Sequence, residues 1–399
     1  MTSGNKTTTS PLAGVDERAR IGFEFEAYAA DRIAGHVPGQ PVEHERACRE
    51  IASHLSRLTG LPFTSMTSGA HPRPPSTTLE NPRWVVDRDI SLDEEYCAPE
   101  GFGTGVEIKT PPLAPVQAMK VAGDFWSLLH GSGEFASGPE AGVHVNISMP
   151  ALADVKAEDL LLLSPCASMM SKSRAAGFSG VKLDLAICAA VMGCTDADSA
   201  REIGRRLIRE NRGSYETNAL PLLEGLGYVE FRHLGGQDFE EDGAASLMSL
   251  TRALCQSLQE APSRRADCDR AWHGLAAISR QLRSSPMWYR SLSRLTALRR
   301  SIEASGKMHE TILDSGMFAD LVKMIFADPR ISAAIPVSSR IRKMVGETAT
   351  VTPIRSGGFR SGGTGRQDNQ ATGMLAQNML AQTGRLHTQR QVPHLRLVS

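Results

Sequence analysis

The chain has 399 residues, long enough for one large domain or two ordinary ones with sizeable cores. Hydrophobic residues make up 41% and charged residues 22%, as in ordinary globular proteins, and the formal net charge is zero. No global field therefore draws the chain to nucleic acid or an anionic membrane, and any basic surface must be local. Seven cysteines without paired spacing argue against a disulfide framework and for a reducing compartment. The polar Met1–Ser10 stretch lacks the apolar core of a signal peptide, and no apolar run is long enough to span a bilayer. Cytoplasmic location is the expectation.

Residues 1–17 read as a flexible leader. A strand follows over Gly22–Tyr28, then a helix over Val42–Leu58 with Ala47, Ile51, Leu55 and Leu58 on one side. The Pro- and Ser-rich run from His71 to Thr78 is a loop. Arg83–Asp89 reads as a strand, and Asp93–Gly105 as an acidic, Gly-rich turn. The strand Val106–Lys109 is stopped by Pro111-Pro112, because proline cannot donate to a ladder. Pro115 opens a helix to about Leu129, and Gly142–Met149 is a strand ended by Pro150. Leu160–Met170 and Asp198–Arg209 are helical, the latter capped by Asp196 or Asp198. Gly227–His233 is the last strand. Helices are then expected at Ala244–Leu258, Ala271–Arg283, Trp288–Ala304 and Met317–Phe326. Strands first and helices after give an α+β layout. The sheet region spans 18–238, and a helical part packed on the same domain spans 239–347. A disordered basic tail rich in Gly, Ser, Arg and Gln fills 348–399. Its arginines could meet phosphate non-specifically, but a linker or targeting appendage is the expected role.

Five of these stretches alternate apolar and polar residues: Gly22-Phe-Glu-Phe-Glu26, Trp84-Val-Val-Asp-Arg-Asp89, Val106-Glu-Ile-Lys109, Val143-His-Val-Asn-Ile147 and Tyr228-Val-Glu-Phe-Arg232. Strand side chains point alternately to opposite faces. Phe23 and Phe25 then oppose Glu24 and Glu26, and Val143, Val145 and Ile147 oppose His144 and Asn146. If the strands share one sheet, one face is apolar and the other gathers acids, a histidine and an arginine. Two carboxylates side by side at ~4 Å cost roughly 4 kcal/mol at an effective dielectric of 20. A shifted pKa, an arginine or a divalent cation must offset that. Oxygen-rich sites with one imidazole suit Mg²⁺ and also Mn²⁺, and phosphoryl transfer uses such ions together with an arginine. An isolated Glu-x-Glu is usually a solvated strand face, and a same-face salt bridge without chemistry is the alternative reading of Glu230-Phe-Arg232. Cys97, Cys166 and Cys188 carry no nucleophile signature and read as packing.

Taken in order, these motifs resemble the amidoligase family of the glutamine synthetase and glutamate–cysteine ligase superfamily. The matching pieces run from Gly22-Phe-Glu-Phe-Glu26 through Trp84–Ser91, Gly105–Leu113 and Gly142-Val-His-Val-Asn146 to Tyr228-Val-Glu-Phe-Arg232. They cover about Ile21 to Asp238. The resemblance implies a curved, mainly antiparallel sheet that binds ATP and two or more Mg²⁺ ions. It implies an ATP-dependent ligase in which a carboxylate is activated as an acyl phosphate and captured by an amine, each a small molecule such as an amino acid or peptide. By the same resemblance Glu24, His144 and Glu230 share one metal, and Glu26 and Glu107 hold a second. Arg232 contacts the transferred phosphoryl group beside Glu230, and Asp89 lines a substrate pocket or joins a metal's outer sphere. Lys109, Arg212 and Asn146 fall on the nucleotide side. Two departures stand out: Asn146 occupies a place where the family often has a second histidine, and Lys109 one where an uncharged residue is usual. The same acids would also serve a metal-dependent hydrolase or nuclease, or a non-catalytic scaffold of the same fold. Neither membrane nor nucleic acid is an expected partner, and the oligomeric state stays open.

Overall fold

In a computed structural model of the chain, the described residues are 14–37, 42–65, 83–92, 98–138, 141–163, 194–211, 217–235, 239–284, 325 and 328–333. The tail, the loop from His71 to Thr78, Arg212 and the expected helices over 288–304 and most of 317–326 lie outside them. The strands are β1 (Arg20–Ala29), β2 (Phe63–Ser65), β3 (Trp84–Arg88), β4 (Thr104–Lys109), β5 (Phe135–Ala136), β6 (Gly142–Ser148), β7 (Thr217–Asn218) and β8 (Tyr228–Gly235). The α-helices are α1 (Asp31–Ala34), α2 (His44–Thr59), α3 (Pro115–Gly131), α4 (Asp159–Leu163), α5 (Ala197–Asn211), α6 (Leu220–Leu223), α7 (Phe239–Glu260), α8 (Arg265–Arg283) and α9 (Pro329–Ser332). The protein is α+β. One open sheet runs in the order β2-β3-β4-β1-β6-β8-β7, with β5 also paired to β1. Only β2 and β3 run parallel; the other pairs are antiparallel.

The alternation in the strands sorts the two faces. Ile21, Phe23, Phe25, Ile108, Val143, Val145, Ile147, Val229 and Phe231 are all fully buried on one side. Burying each such side chain contributes about 1.5–3 kcal/mol. Helix α3 covers β1 on this side, and Phe125 stacks on Phe25 at 5.7 Å between centroids and on Trp84 at 5.3 Å. Helix α7 packs on α3 and reaches β6 and β8, bending at Gly243, whose φ of 66° is left-handed. Helix α2 lies on β2 and β3 through Ala47, Cys48, Ile51 and Leu55.

Local sequence explains where several helices begin and end. Gly60 closes α2 with a φ of 73°, and Pro115 opens α3, where its missing N–H costs nothing. Asp196 caps α5: its Oδ1 accepts the Ser199 N–H at 2.8 Å while Ser199 Oγ accepts the Asp196 N–H at 3.0 Å. Buried Asp159 ties α4 to α5 and α8 by accepting from Arg201 at 2.7 Å and from Trp272 Nε1 at 2.8 Å. The described free cysteines, Cys48, Cys194, Cys255 and Cys268, are all buried, as packing residues are. Among the described residues no helix is long and apolar enough to cross a membrane.

The polar face of the sheet is closed at one end. Tyr28, Leu92 and Ala141 form a small apolar cluster there, with Phe102 against it. Gly105, opposite Tyr28 in the ladder, permits that closure, because a Cβ on it would stand 2.9 Å from Leu92 Cβ. Gly105→Ala is therefore expected to lower stability by about 1–3 kcal/mol, the usual cost of overpacking. A urea midpoint unchanged from the parent chain would show that Leu92 does not seat this end of the face.

Candidate metal centre

Register decides which polar side chains meet. Three rows cross the face between β3 and β7. The first is Asp87–Glu107–Glu26, the second Lys109–Glu24–His144, and the third Gly22–Asn146–Glu230–Asn218. Strands β1, β4 and β8 thus deliver four glutamates around the imidazole that β6 supplies. The ladder between β6 and β8 slips by one residue here: Val143 pairs with Leu234, but Val145 pairs with Phe231. The extra residue falls at Arg232–His233, opposite His144. A bulge re-aims side chains and often lies beside a site.

His144 is the hub. It is 3% exposed. Its Nδ1 lies 3.3 Å from Glu24 Oε2, 3.3 Å from Glu230 Oε1 and 3.7 Å from Glu107 Oε1. On the other side of the ring, Nε2 lies 2.9 Å from Glu26 Oε1. Arg232 Nε donates to Glu230 Oε1 at 2.5 Å, and Lys109 Nζ sits 2.6 Å from Glu107 Oε2. Asn146 Nδ2 donates to Glu24 Oε1 at 2.8 Å.

The electrostatics follow from crowding. Burial opposes the His144 imidazolium, but the charges and hydrogen bonds of Glu26, Glu24 and Glu230 outweigh it and hold its pKa up to about 10. Burial also pushes Glu24 upward. Hydrogen bonds with His144 and Glu107, and the Lys109 charge, overcome that and hold Glu24 well below the usual carboxylate range. Its neighbour Glu107 goes the other way, raised well above that range by burial and by the Glu24 charge. The two acids hydrogen-bond to each other and titrate as a pair rather than singly. Burial disfavours the Lys109 and Arg232 cations too, yet the adjacent carboxylates move both pKa values upward. Three cationic side chains, His144, Lys109 and Arg232, thus stand among the four carboxylates.

Glu24, Glu107 and His144 offer ligand atoms that all lie within 4.8 Å of one another, a group that could hold a metal ion. Two carboxylate oxygens and one imidazole nitrogen fit Mg²⁺ or Mn²⁺ by donor chemistry. Glu26 would then hold the ring from behind, since a ligating histidine commonly gives its other N–H to a carboxylate. From sequence, Glu230 is expected with Glu24 and His144 on one ion and Glu26 with Glu107 on a second; the close group holds Glu24 and His144 of the first set and Glu107 of the second. Glu26 and Glu107 are ladder neighbours, and Glu26 Oε1 faces His144 Nε2.

No family model matches the chain, and no curated protein matches it. The site must therefore be judged on its own geometry. Asp89 stands apart from the rows: its Oδ1 accepts both the N–H and the hydroxyl of Ser91, at 2.8 and 2.7 Å, and shapes the turn toward Leu92. Asn218 was not anticipated. Its Nδ2 donates to Glu230 Oε2 at 2.6 Å, and its Oδ1 accepts the Leu220 N–H at the start of α6. That leaves Glu230 Oε1 for Arg232 and His144. The available signal was slight, an asparagine two residues before Leu220-Pro221, where helix starts are commonly capped. Thr110 is a second unanticipated support: its Oγ1 accepts the Phe23 N–H at 2.9 Å and fixes β4 against β1.

Proposed function

We propose that this protein is an ATP- and Mg²⁺-dependent carboxylate–amine ligase that forms an amide bond through an acyl phosphate. One observation carries the reading: Glu24, Glu26, Glu107, His144, Glu230 and Arg232 converge on one face of one sheet. The resemblance of the ordered strand motifs to amidoligases supports the choice of reaction, and the glutamine synthetase-like type of sheet belongs to the same proposal. A bound divalent ion supplies charge stabilisation on phosphate oxygens. Glu24, Glu107 and the His144 Nδ1 would hold it, and Glu26 orients the ring. Glu230 holds Arg232 in place, with Asn218 bracing Glu230 from behind. Arg232, one-third exposed on its side chain, keeps a guanidinium available to a phosphoryl group. Lys109 serves the nucleotide side. Rate enhancement would come from alignment and fixed charge rather than from a covalent nucleophile of the protein.

The test is ADP release from ATP with Mg²⁺ when amino acids or small peptides are offered as acid and amine pairs. Release should need both partners, and Glu230→Ala should slow it at least tenfold, the size expected when a group that places charge is removed. Turnover of phosphodiesters or peptides without ATP would favour a metal-dependent hydrolase instead. The pairing of these acids with His144, Lys109 and Arg232 supports one other reading, a scaffold whose buried charges are structural. That reading predicts no nucleotide-dependent thermal shift in the presence of Mg²⁺.

A further inference from the structure

A cleft of about 490 Å³ opens away from the metal centre, between α5, α6 and the short 3₁₀ helix Pro150–Asp154 with the loop that follows it. None of its lining residues belongs to β1, β4, β6 or β8, the strands that carry the four glutamates and His144. Leu152, Val155, Leu222 and Leu223 give it apolar walls, and Lys156, Glu158 and Arg205 line it with charge. Concave apolar sites with a few converging polar groups are where proteins hold small molecules.

The guanidinium in this cleft is held in place from behind. Glu158 is 3% exposed, and its Oε1 accepts from Arg205 Nη1 at 2.8 Å. Arg205 Nε donates to Glu202 Oε2 at 2.9 Å, so two acids orient one planar group. Gly204 lets α5 come close enough for the Glu158 contact: a Cβ there would stand 2.9 Å from Trp272 Cη2 and 3.4 Å from Glu158 Cβ. Arg205 Nη2 has no hydrogen-bond partner among the described residues, and the side chain is 32% exposed. Lys156 is exposed and makes no ion pair among the described residues.

Charge selects the ligand. Glu158 answers Arg205 within the lining, which leaves the positive charge of Lys156 in excess, and Glu202 is answered from outside by Arg209 at 3.5 Å. Two donors that carry positive charge beside apolar walls recognise a carboxylate on an aliphatic body. We infer that this cleft binds a small aliphatic monocarboxylate. Arg205 Nη2 and Lys156 Nζ hold the carboxylate, and the chain lies against Leu152, Val155, Leu222 and Leu223. The site is separate from the ligase reading above and does not depend on it.

The probe is sodium isocaproate, compared with isocaproamide, which keeps the body without the charge, and with acetate, which keeps the charge without the body. Calorimetric titration is read on the full chain. Isocaproate should bind saturably at one site per chain, the amide should bind roughly tenfold more weakly, the size of a lost hydrogen bond to a charged group, and acetate should not saturate. Arg205→Gln should weaken isocaproate too, but it also removes a partner of buried Glu158, so two exposed positions carry the test. Lys156→Met removes a cation, and Ala153→Glu sets an acid at the lip of the cleft. Each should weaken isocaproate by roughly tenfold and leave the urea midpoint and Mn²⁺ binding as in the parent chain. Absence of saturable binding, equal affinity for acid and amide, or full isocaproate affinity in either variant would overturn the inference.

Discussion

Between about pH 6.5 and 8.5 the affinity of the chain for Mn²⁺ is expected to rise by roughly tenfold per pH unit, because ligands must lose protons before they bind an ion. The cause is His144. In the metal-free protein its pKa stands at about 10, so throughout this range the ring carries the proton that a cation at Nδ1 must displace. One displaced proton gives a slope of one decade per unit. Glu107, also raised, adds to the slope wherever its proton is displaced as well. Titration of Mn²⁺ by electron paramagnetic resonance across a pH series reads it directly. A flat profile would mean that the ion does not take the imidazole, and the Glu24, Glu107 and His144 group would lose its standing as the ligand set. The same shift sets a stability trend without metal. The folded pKa of His144 lies above the ordinary 6.5, so its contribution is fully present below pH 6.5 and is lost as pH rises through about 10. Divalent ion should counter that alkaline loss by binding only the folded state.

The faces of the strands were legible in the sequence, and their rows were not. Alternation at 22–26, 143–147 and 228–232 states which side each residue takes, and burial agrees from Phe23 to Phe231. Which residue stands opposite which depends on register, and register is a tertiary outcome. A one-residue bulge at Arg232–His233 shifts β8 against β6 within reach of His144, and nothing in Tyr228-Val-Glu-Phe-Arg announces it. Helix ends followed local chemistry where it was strong, as at Gly60 and Pro115. Helix α8 begins at Arg265 rather than Ala271, because its first turn is polar and carries no apolar period to read. The two-residue strands β5 and β7 are too short to alternate, which hid Asn218. The turn role of Asp89 depends on Ser91 and on Leu92 packing over Gly105, contacts that composition does not encode.

His144→Gln is expected to cost about 3–5 kcal/mol at neutral pH, the usual penalty for removing one partner from a buried ion cluster. The ring is buried and faces Glu24, Glu26, Glu107 and Glu230 within 3.7 Å, so a neutral amide would leave these acids crowded without their central cation. They would answer by taking up protons, which moves their pKa values upward. Strong acid then acts differently on the two chains. In the parent, the depressed Glu24 contributes stability above its ordinary pKa, and that is lost as pH falls through its lower folded value. In His144→Gln, carboxylates raised above their unfolded values gain stability as pH falls, so the variant should recover from about pH 7 toward about pH 5. Urea unfolding at both values separates the outcomes. Lys109→Met provides the scale, since Lys109 sits at the edge of the cluster with a side chain 25% exposed and should cost less. If His144→Gln loses under about 1 kcal/mol and shows no acid recovery, the carboxylates do not depend on the imidazole for charge. The face would then be a set of separate surface pairs, well below the magnitude expected of a buried cluster.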